Sequence, residues 1–398
     1  MKLFIVFIFF SSITFAQWSQ EIDFPELGRD DAVAASVNNK IYFGTGRDEN
    51  FACRNDWWEF DPETNLWKEL NPLPAKARQY SEAFTLNNKI YVVCGITCNN
   101  EFLKEVWEFN PKENLWSKKN DFPGIGRSSA IHFIWNNEAY FGTGRNGDHY
   151  LNDLWKYNQQ LDNWEKIIDF PFQKRYEMAC FEANSKVYLG LGRLEDGSLS
   201  NNWYEFNPIN NQTIVKQNVP FPERYYTAHI NCNGKGYLST GMCSVPGVPQ
   251  EFSNNIWEYN PENDTWNKLA EIPSLTKRRG CAFASIKESI YIINGLSEAN
   301  QRIREIWSFK TSEKIIDKNW SIYPNPCEEK ILIQFDTKEN NIVKIEMFDW
   351  LGKIVYACEI NFPISEHLIL VSNFKKGYYF IKIKDNKGKE SIKKVIKI

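Results

Sequence analysis

The sequence predicts an all-β protein: a six-bladed β-propeller over residues 17–313, a linker at 314–319 and a small β-sandwich at 320–398. Three observations predict it. A three-residue signature recurs six times at a spacing near 50 residues. Each recurrence carries four short strand-like runs separated by turn residues, the pattern of a propeller blade. After Trp320 the aromatic repeat stops and short alternating strands take over. Hydrophobic residues at 42% and charged residues at 24% argue against a disordered or fibrous chain. A formal net charge of −3 supplies no global basic field to recruit nucleic acid.

The N-terminal residues read as a secretory signal peptide, residues 1–16. Lys2 precedes an unbroken apolar run from Leu3 to Phe10, and a polar-to-small stretch ends at Ala16, placing cleavage before Gln17. The run is far shorter than the roughly 20 residues needed to span a bilayer, and no later segment supplies a transmembrane helix.

The repeat begins with an Arg: Arg29, Arg78, Arg127, Arg175, Arg224 and Arg278. Thirteen residues after each stands a Tyr, and four after each Tyr a Gly, from Tyr42 and Gly46 through Tyr291 and Gly295. A second half follows, as in "WEFDPETNLW" at Trp58–Trp67 and "WEYNPENDTW" at Trp257–Trp266. In the fourth unit Tyr204 and Thr213 replace the two Trp. Pro62, Pro111, Pro208 and Pro261 fall in the turn between the third and fourth strands, where a fixed φ helps and no ladder bond is lost. The acids of "WE" (Glu59, Glu108, Glu258) read as repeat-wide structural acceptors.

The ends of the repeat are complementary. Trp18 opens a fourth-strand sequence that has no first three strands, and the sixth unit runs through Trp307 without a fourth. The N-terminal strand is therefore expected to complete the sixth blade and close the ring. Nine Cys give no zinc-knuckle spacing. The repeat register places Cys53 and Cys98 on neighbouring loops, which makes them the first pairing to expect.

The last segment, with 14 Lys against 10 Asp and Glu from Lys318 onward, contains strands such as "KILIQF", "VKIEMF" and "YYFIKIK". This is a β-sandwich pattern.

On the Arg, Tyr, Gly and paired Trp, the repeats resemble kelch repeats. One departure stands out: kelch blades usually carry two adjacent Gly after the second strand. Here the pair reads Thr45–Gly46, Cys94–Gly95, Thr143–Gly144, Leu191–Gly192, Thr240–Gly241 and Asn294–Gly295. The tail resembles a type A C-terminal sorting domain of the type IX secretion system. The matched positions are Tyr323, Pro324, Asn325, Pro326, Gly377, Tyr378 and Phe380. That resemblance implies interaction with the secretion machinery and delivery to the cell surface or beyond.

Functional expectations centre on one mouth of the ring. The six register Arg, with Arg47, Arg145 and Arg193 directly after three of the Gly, could converge there and bind carboxylates bidentately. Tyr80, Tyr176 and Tyr225 follow register Arg and are suited to stack on sugar rings. A second role for the six Arg is open: bracing carbonyls of the next blade. His132 and His229 share one repeat position and read as inner-strand packing, so neither copper nor any other metal or cofactor is expected. Glu82, Glu177 and Glu223 are candidate acids or bases. The expectation is an exported binding or adhesion propeller for an acidic glycan or acidic peptide. The alternative is a sugar-modifying enzyme, such as one interconverting anomers of an acidic sugar like sialic acid.

Overall fold

The computed structural model describes residues 18–243, 251–274, 276–311, 320–335, 342–350, 352–360, 364–385 and 390–398. The expected leader at 1–16 and linker at 314–319 lie outside the described residues. The chain divides into two units, Met1–Thr311 and Ser312–Ile398. No described residue is helical.

Six four-stranded antiparallel sheets build the first unit. The first runs Val33–Val37, Lys40–Gly44, Trp57–Asp61 and Leu66–Leu70, and the next four repeat that order. In the sixth, Ala282–Ile286, Ser289–Ile293 and Ile306–Lys310 take their outer neighbour from the N-terminus. Trp18–Gln20 lies antiparallel to Ile306–Lys310, with Trp18 opposite Phe309 and Gln20 opposite Trp307. The Trp18 and Phe309 rings stand 4.8 Å apart.

The sheets are held by the residues that repeat. Phe43, Trp58 and Phe60 of sheet one pack with Ala284, Tyr291 and Ile293 of sheet six. Val37, Tyr42 and Trp57 pack with Ile90, Val92 and Phe109 of sheet two. The same kind of apolar layer lies between each further pair of successive sheets. Trp18 belongs to the layer between sheets five and six. Burial of one such aromatic removes about 150–250 Å² from water.

The register Tyr has a polar end to satisfy within that layer. Tyr42 Oη donates to Glu59 at 2.8 Å and Tyr237 Oη to Glu258 at 2.9 Å; Tyr91 pairs with Glu108 in the same way. Each acid sits opposite its Tyr on the adjacent strand. The "WE" acids are structural acceptors, as their register suggests.

The second unit is a pair of antiparallel sheets. One is Trp320–Tyr323, Lys330–Phe335 and Glu366–Leu370; the other is Ile354–Glu359, Ile342–Asp349, Gly377–Asp385 and Glu390–Lys397. Trp320, Ile331, Ile333, Ile345, Met347 and Ile381 share its core. The alternating apolar residues of its strands therefore face one another across the sandwich.

Candidate functional site

The six register Arg do not reach the mouth; all are buried, at 0–1% exposure. Each guanidinium donates to the carbonyl sixteen residues on, within its own blade. The acceptors are Thr45, Cys94, Thr143, Leu191, Thr240 and Asn294, at 2.9–3.4 Å. These acceptors are the residues just before the repeat Gly, and every one lies at φ between 56° and 61°. The following Gly are also at positive φ. This turn explains both the usual Gly-Gly pair and the Arg, which clamps the carbonyl exposed by the left-handed residue. The ligand-binding expectation for Arg29, Arg78, Arg127, Arg175, Arg224 and Arg278 is thus corrected. They are braces, and they brace their own blade rather than the next one.

The residue after each register Arg pairs with the residue after the Gly. Asp30 lies opposite Arg47, Ser128 opposite Arg145, and Tyr176 opposite Arg193. These short ladders carry the second set of Arg to the end of the ring. One residue further on, Asp31, Tyr80, Ser129, Glu177, Tyr226 and Gly280 all adopt φ of 53–60°. Backbone bonds link them in succession: Tyr80 N–H to Asp31 O, Ser129 to Tyr80, Glu177 to Ser129, Gly280 to Tyr226, and Asp31 to Gly280. Their side chains form a neck. Tyr80 and Tyr226 face each other across it, with ring centroids 5.8 Å apart.

Charge is distributed unevenly around this neck. On the side of blades six and one, Arg279 and Arg302 are paired, and Arg47 donates only to the Phe51 carbonyl. Arg302 Nε donates to Asp30 at 2.6 Å, and Arg279 Nη1 lies 3.7 Å from both Asp30 and Asp31. Arg47 and Arg302 both stack on Phe51. The loop bearing Phe51 is tied to the next blade by a Cys53–Cys98 disulfide, the pairing expected from the register. On the side of blades three to five, Arg145 stacks on Tyr176 with its guanidinium carbon 4.6 Å from the ring centre. Arg193 Nη1 donates to the Tyr176 hydroxyl at 3.3 Å. Among the described residues, neither Arg145 nor Arg193 has a carboxylate within 4 Å, and the buried Arg145 Nε has no acceptor.

Tyr176 and Tyr225 are buried, at 2% and 4% exposure. Their rings pack against Arg145, Tyr150 and Tyr226. The expectation that these two stack on a sugar is therefore corrected: protein groups already occupy them, and they position the arginines. Tyr80 and Tyr226, each half-buried, remain at the neck.

Below the neck lies a cavity of about 130 Å³ lined by Ala34, Ala83, Glu82, His132, His229 and Phe283, among others. Small Ala at two of the six equivalent positions leave the space. His132 Nδ1 is 2.6 Å from Glu82 Oε2, and His229 Nδ1 is 2.9 Å from Thr227 O. Both imidazoles stand on the first strand of their blades and line the axial cavity, and His132 also packs on Phe84 of the preceding blade with ring centres 5.7 Å apart. Burial pushes His229 below the usual imidazole range. Among the described residues, no three His, Cys, Asp or Glu converge as a metal-holding group.

Glu177 lies at the junction of neck and cavity. Loss of hydration pushes its carboxyl up to about 7, and the Ser129 hydroxyl and the nearby Arg145 and Arg279 only partly offset that rise. Asp31 is raised by the same burial, reinforced by the adjacent Asp30. Glu82 lines the cavity, whereas Glu223 lies exposed outside it. Arg279 and Arg302 were not singled out by the sequence reading. The doubled "RR" at Arg278–Arg279, where the other blades have Asp, Gln, Ser or Tyr, is the signal for the first; Arg302 has none in the repeat.

The description "Kelch motif" matches residues 80–123, and "Secretion system C-terminal sorting domain" matches residues 321–398. A solved structure titled "Structure of YjhT" is similar to this chain with a TM-score of 0.63 and 17% sequence identity. The similarity covers 72% of this chain and 96% of that one. At that identity the likeness concerns the fold. No curated protein sequence matches the chain.

Proposed function

Starting from a kelch-type propeller joined to a type IX sorting domain, we propose that the chain is an exported binding protein for acidic glycans. The sorting domain directs it through the secretion machinery, and the leader at residues 1–16 starts that route. One observation carries the binding reading: Arg145 and Arg193 flank Tyr176 at the ring's end with no carboxylate partner among the described residues. Guanidinium groups held in this way are preorganised for bidentate contact with a carboxylate. Arg47 and the half-buried Tyr80 and Tyr226 rim the same end and supply further polar and aromatic surface.

The experiment is titration of the purified propeller with uronate- and sialate-bearing oligosaccharides and with acidic peptides. Saturable binding to a carboxylated sugar is expected, weakened about tenfold or more in Arg145→Ala and Arg193→Ala, the typical cost of losing a charge-assisted contact. Binding only to acidic peptides would replace the glycan by a protein ligand. Absence of binding to every carboxylated ligand would sink the reading.

Glu177 favours a second reading, that of an enzyme interconverting anomers of an acidic sugar. A carboxyl raised to about 7 beside two arginines is suited to exchange a proton with a sugar hydroxyl. Exchange spectroscopy by NMR separates the readings. Accelerated anomer exchange that disappears in Glu177→Gln supports the enzyme, and binding without acceleration leaves the binding protein.

A further inference from the structure

Among the described residues, four of the six buried Arg braces have a carboxylate partner and two do not. Arg29 grips Asp56 with two bonds of 2.6 and 2.8 Å, and Arg127 grips Asp153 with the same two lengths. Arg78 and Arg278 pair with Glu105 and Glu305. Each of these acids stands two residues before the first Trp of the blade's second half. In blades four and five that position is Asn202 and Asn255. Arg175 there donates to Ser200 Oγ at 2.8 Å, and that hydroxyl donates in turn to Asn202. Arg224 donates to the carbonyls of Pro222 and Thr240 and stacks on Phe221. Neither has a carboxylate within ion-pair distance among the described residues. Both are 1% exposed, and loss of hydration pushes both below the usual guanidinium range.

A buried charge left unneutralised is costly, yet the chain carries two in adjacent blades. They underlie the same sector where Arg145 and Arg193 have no carboxylate within ion-pair distance among the described residues, Glu177 acting on Arg145 from farther off. Four guanidinium groups thus lie on one side of the neck, two half-buried at the ring's end and two fully buried beneath it in a medium that screens poorly. In blades six and one, by contrast, Arg29, Arg54, Arg278, Arg279 and Arg302 are paired with Asp56, Asp48, Glu305, Asp30 and Asp31, and Arg47 alone of the arginines at that side of the neck has no carboxylate within 4 Å among the described residues.

We propose that Asn202 and Asn255 make this sector the anion-receiving half of the ring's end, and that its ligand is a polyuronate-type glycan with carboxylates on successive sugars. The proposal rests on the acidic-glycan reading and narrows it. Arg145 and Arg193, on either side of Tyr176, supply two separate contact points, and Arg175 and Arg224 supply field without contact. They act as positioning charges.

The test restores the missing acids. Asn202→Asp and Asn255→Asp change no surface contact and are nearly isosteric. The geometry they need already exists in blades one and three. Each is expected to weaken trigalacturonate binding at low salt by roughly four- to seventeenfold, the size of a unit charge acting over about 10 Å at an effective dielectric constant of about 20–40. The melting temperature is expected to hold or rise, since a buried cation gains its partner. Binding of methyl-esterified trigalacturonate, which has no charge, should not change. As a reciprocal variant, Asp153→Asn, which unpairs Arg127, should tighten trigalacturonate binding. Unchanged trigalacturonate affinity in both Asn→Asp variants, with Arg145→Ala still defective, overturns this inference and leaves acidic-glycan binding standing. Wild-type protein that binds other carboxylated sugars but not trigalacturonate overturns it as well. Failure to bind any carboxylated ligand overturns both.

Discussion

An Arg that looks like a ligand group in sequence is, in this protein, a clamp on a strained turn. Residues such as Thr45 and Thr143 occupy the left-handed region, disfavoured for L-residues and most of all for β-branched ones. Their carbonyls point at a buried guanidinium, Arg29 or Arg127, that a carboxylate, Asp56 or Asp153, holds in place at the same time. Glu177 is the opposite case, a side chain whose surroundings oppose its own charge. Its carboxyl is raised from the ordinary 4.5 to about 7 in the folded protein. The folded state therefore holds the proton more tightly than the unfolded chain does. The stability tied to that proton is fully present below about pH 4.5 and declines as pH rises, until it is gone above about 7. Glu177→Gln should remove this decline. Chemical denaturation from pH 4 to 8 would show a flatter profile for the variant; parallel profiles would mean that Glu177 titrates normally.

At the scale of the strand and turn, the repeat makes a testable trade. Each second strand ends in two successive residues at positive φ, and only the second is Gly. Thr143 illustrates the cost, since its buried hydroxyl also lacks a hydrogen-bond partner. Thr143→Gly should relieve both problems and lose some chain entropy in exchange, for a net gain of about 1 kcal/mol. The measurement is the denaturation midpoint. A lower midpoint would mean that the Thr methyl contributes more packing than the turn costs. The same turn explains the spacing from Arg to Gly: the brace has to reach its carbonyl across two strands whose lengths are fixed.

At the scale of the whole molecule, the first described strand and the last one of the ring are neighbours although they are separated by most of the propeller's length. Trp18 lies beside Phe309 and is 8% exposed, inside the apolar layer between sheets five and six. If this strand latches the ring, Trp18→Ala should destabilise the entire first unit by about 3–5 kcal/mol, the usual loss for a large aromatic removed from a core. A single cooperative transition at a lower temperature is the expected result. A melt identical to wild type would show that the strand is an accessory, and the idea of a latch would fail.

Periodicity alone determined the number of blades, the strand order within them and the blade that the Trp18 strand joins, and it made Cys53–Cys98 the first pairing to expect. Each of these follows from residues at fixed spacing that do the same job in every copy. The acids at Asp56, Glu105, Asp153 and Glu305, and their replacement by Asn202 and Asn255, were also written in that register, though visible only once the Arg heads were seen to turn inward. The direction of those heads, the neck of left-handed residues and the position of Glu177 were decided by the tertiary structure. A side chain's partner depends on which carbonyls, rings and charges surround it in space, and those groups come from blades far apart in the chain.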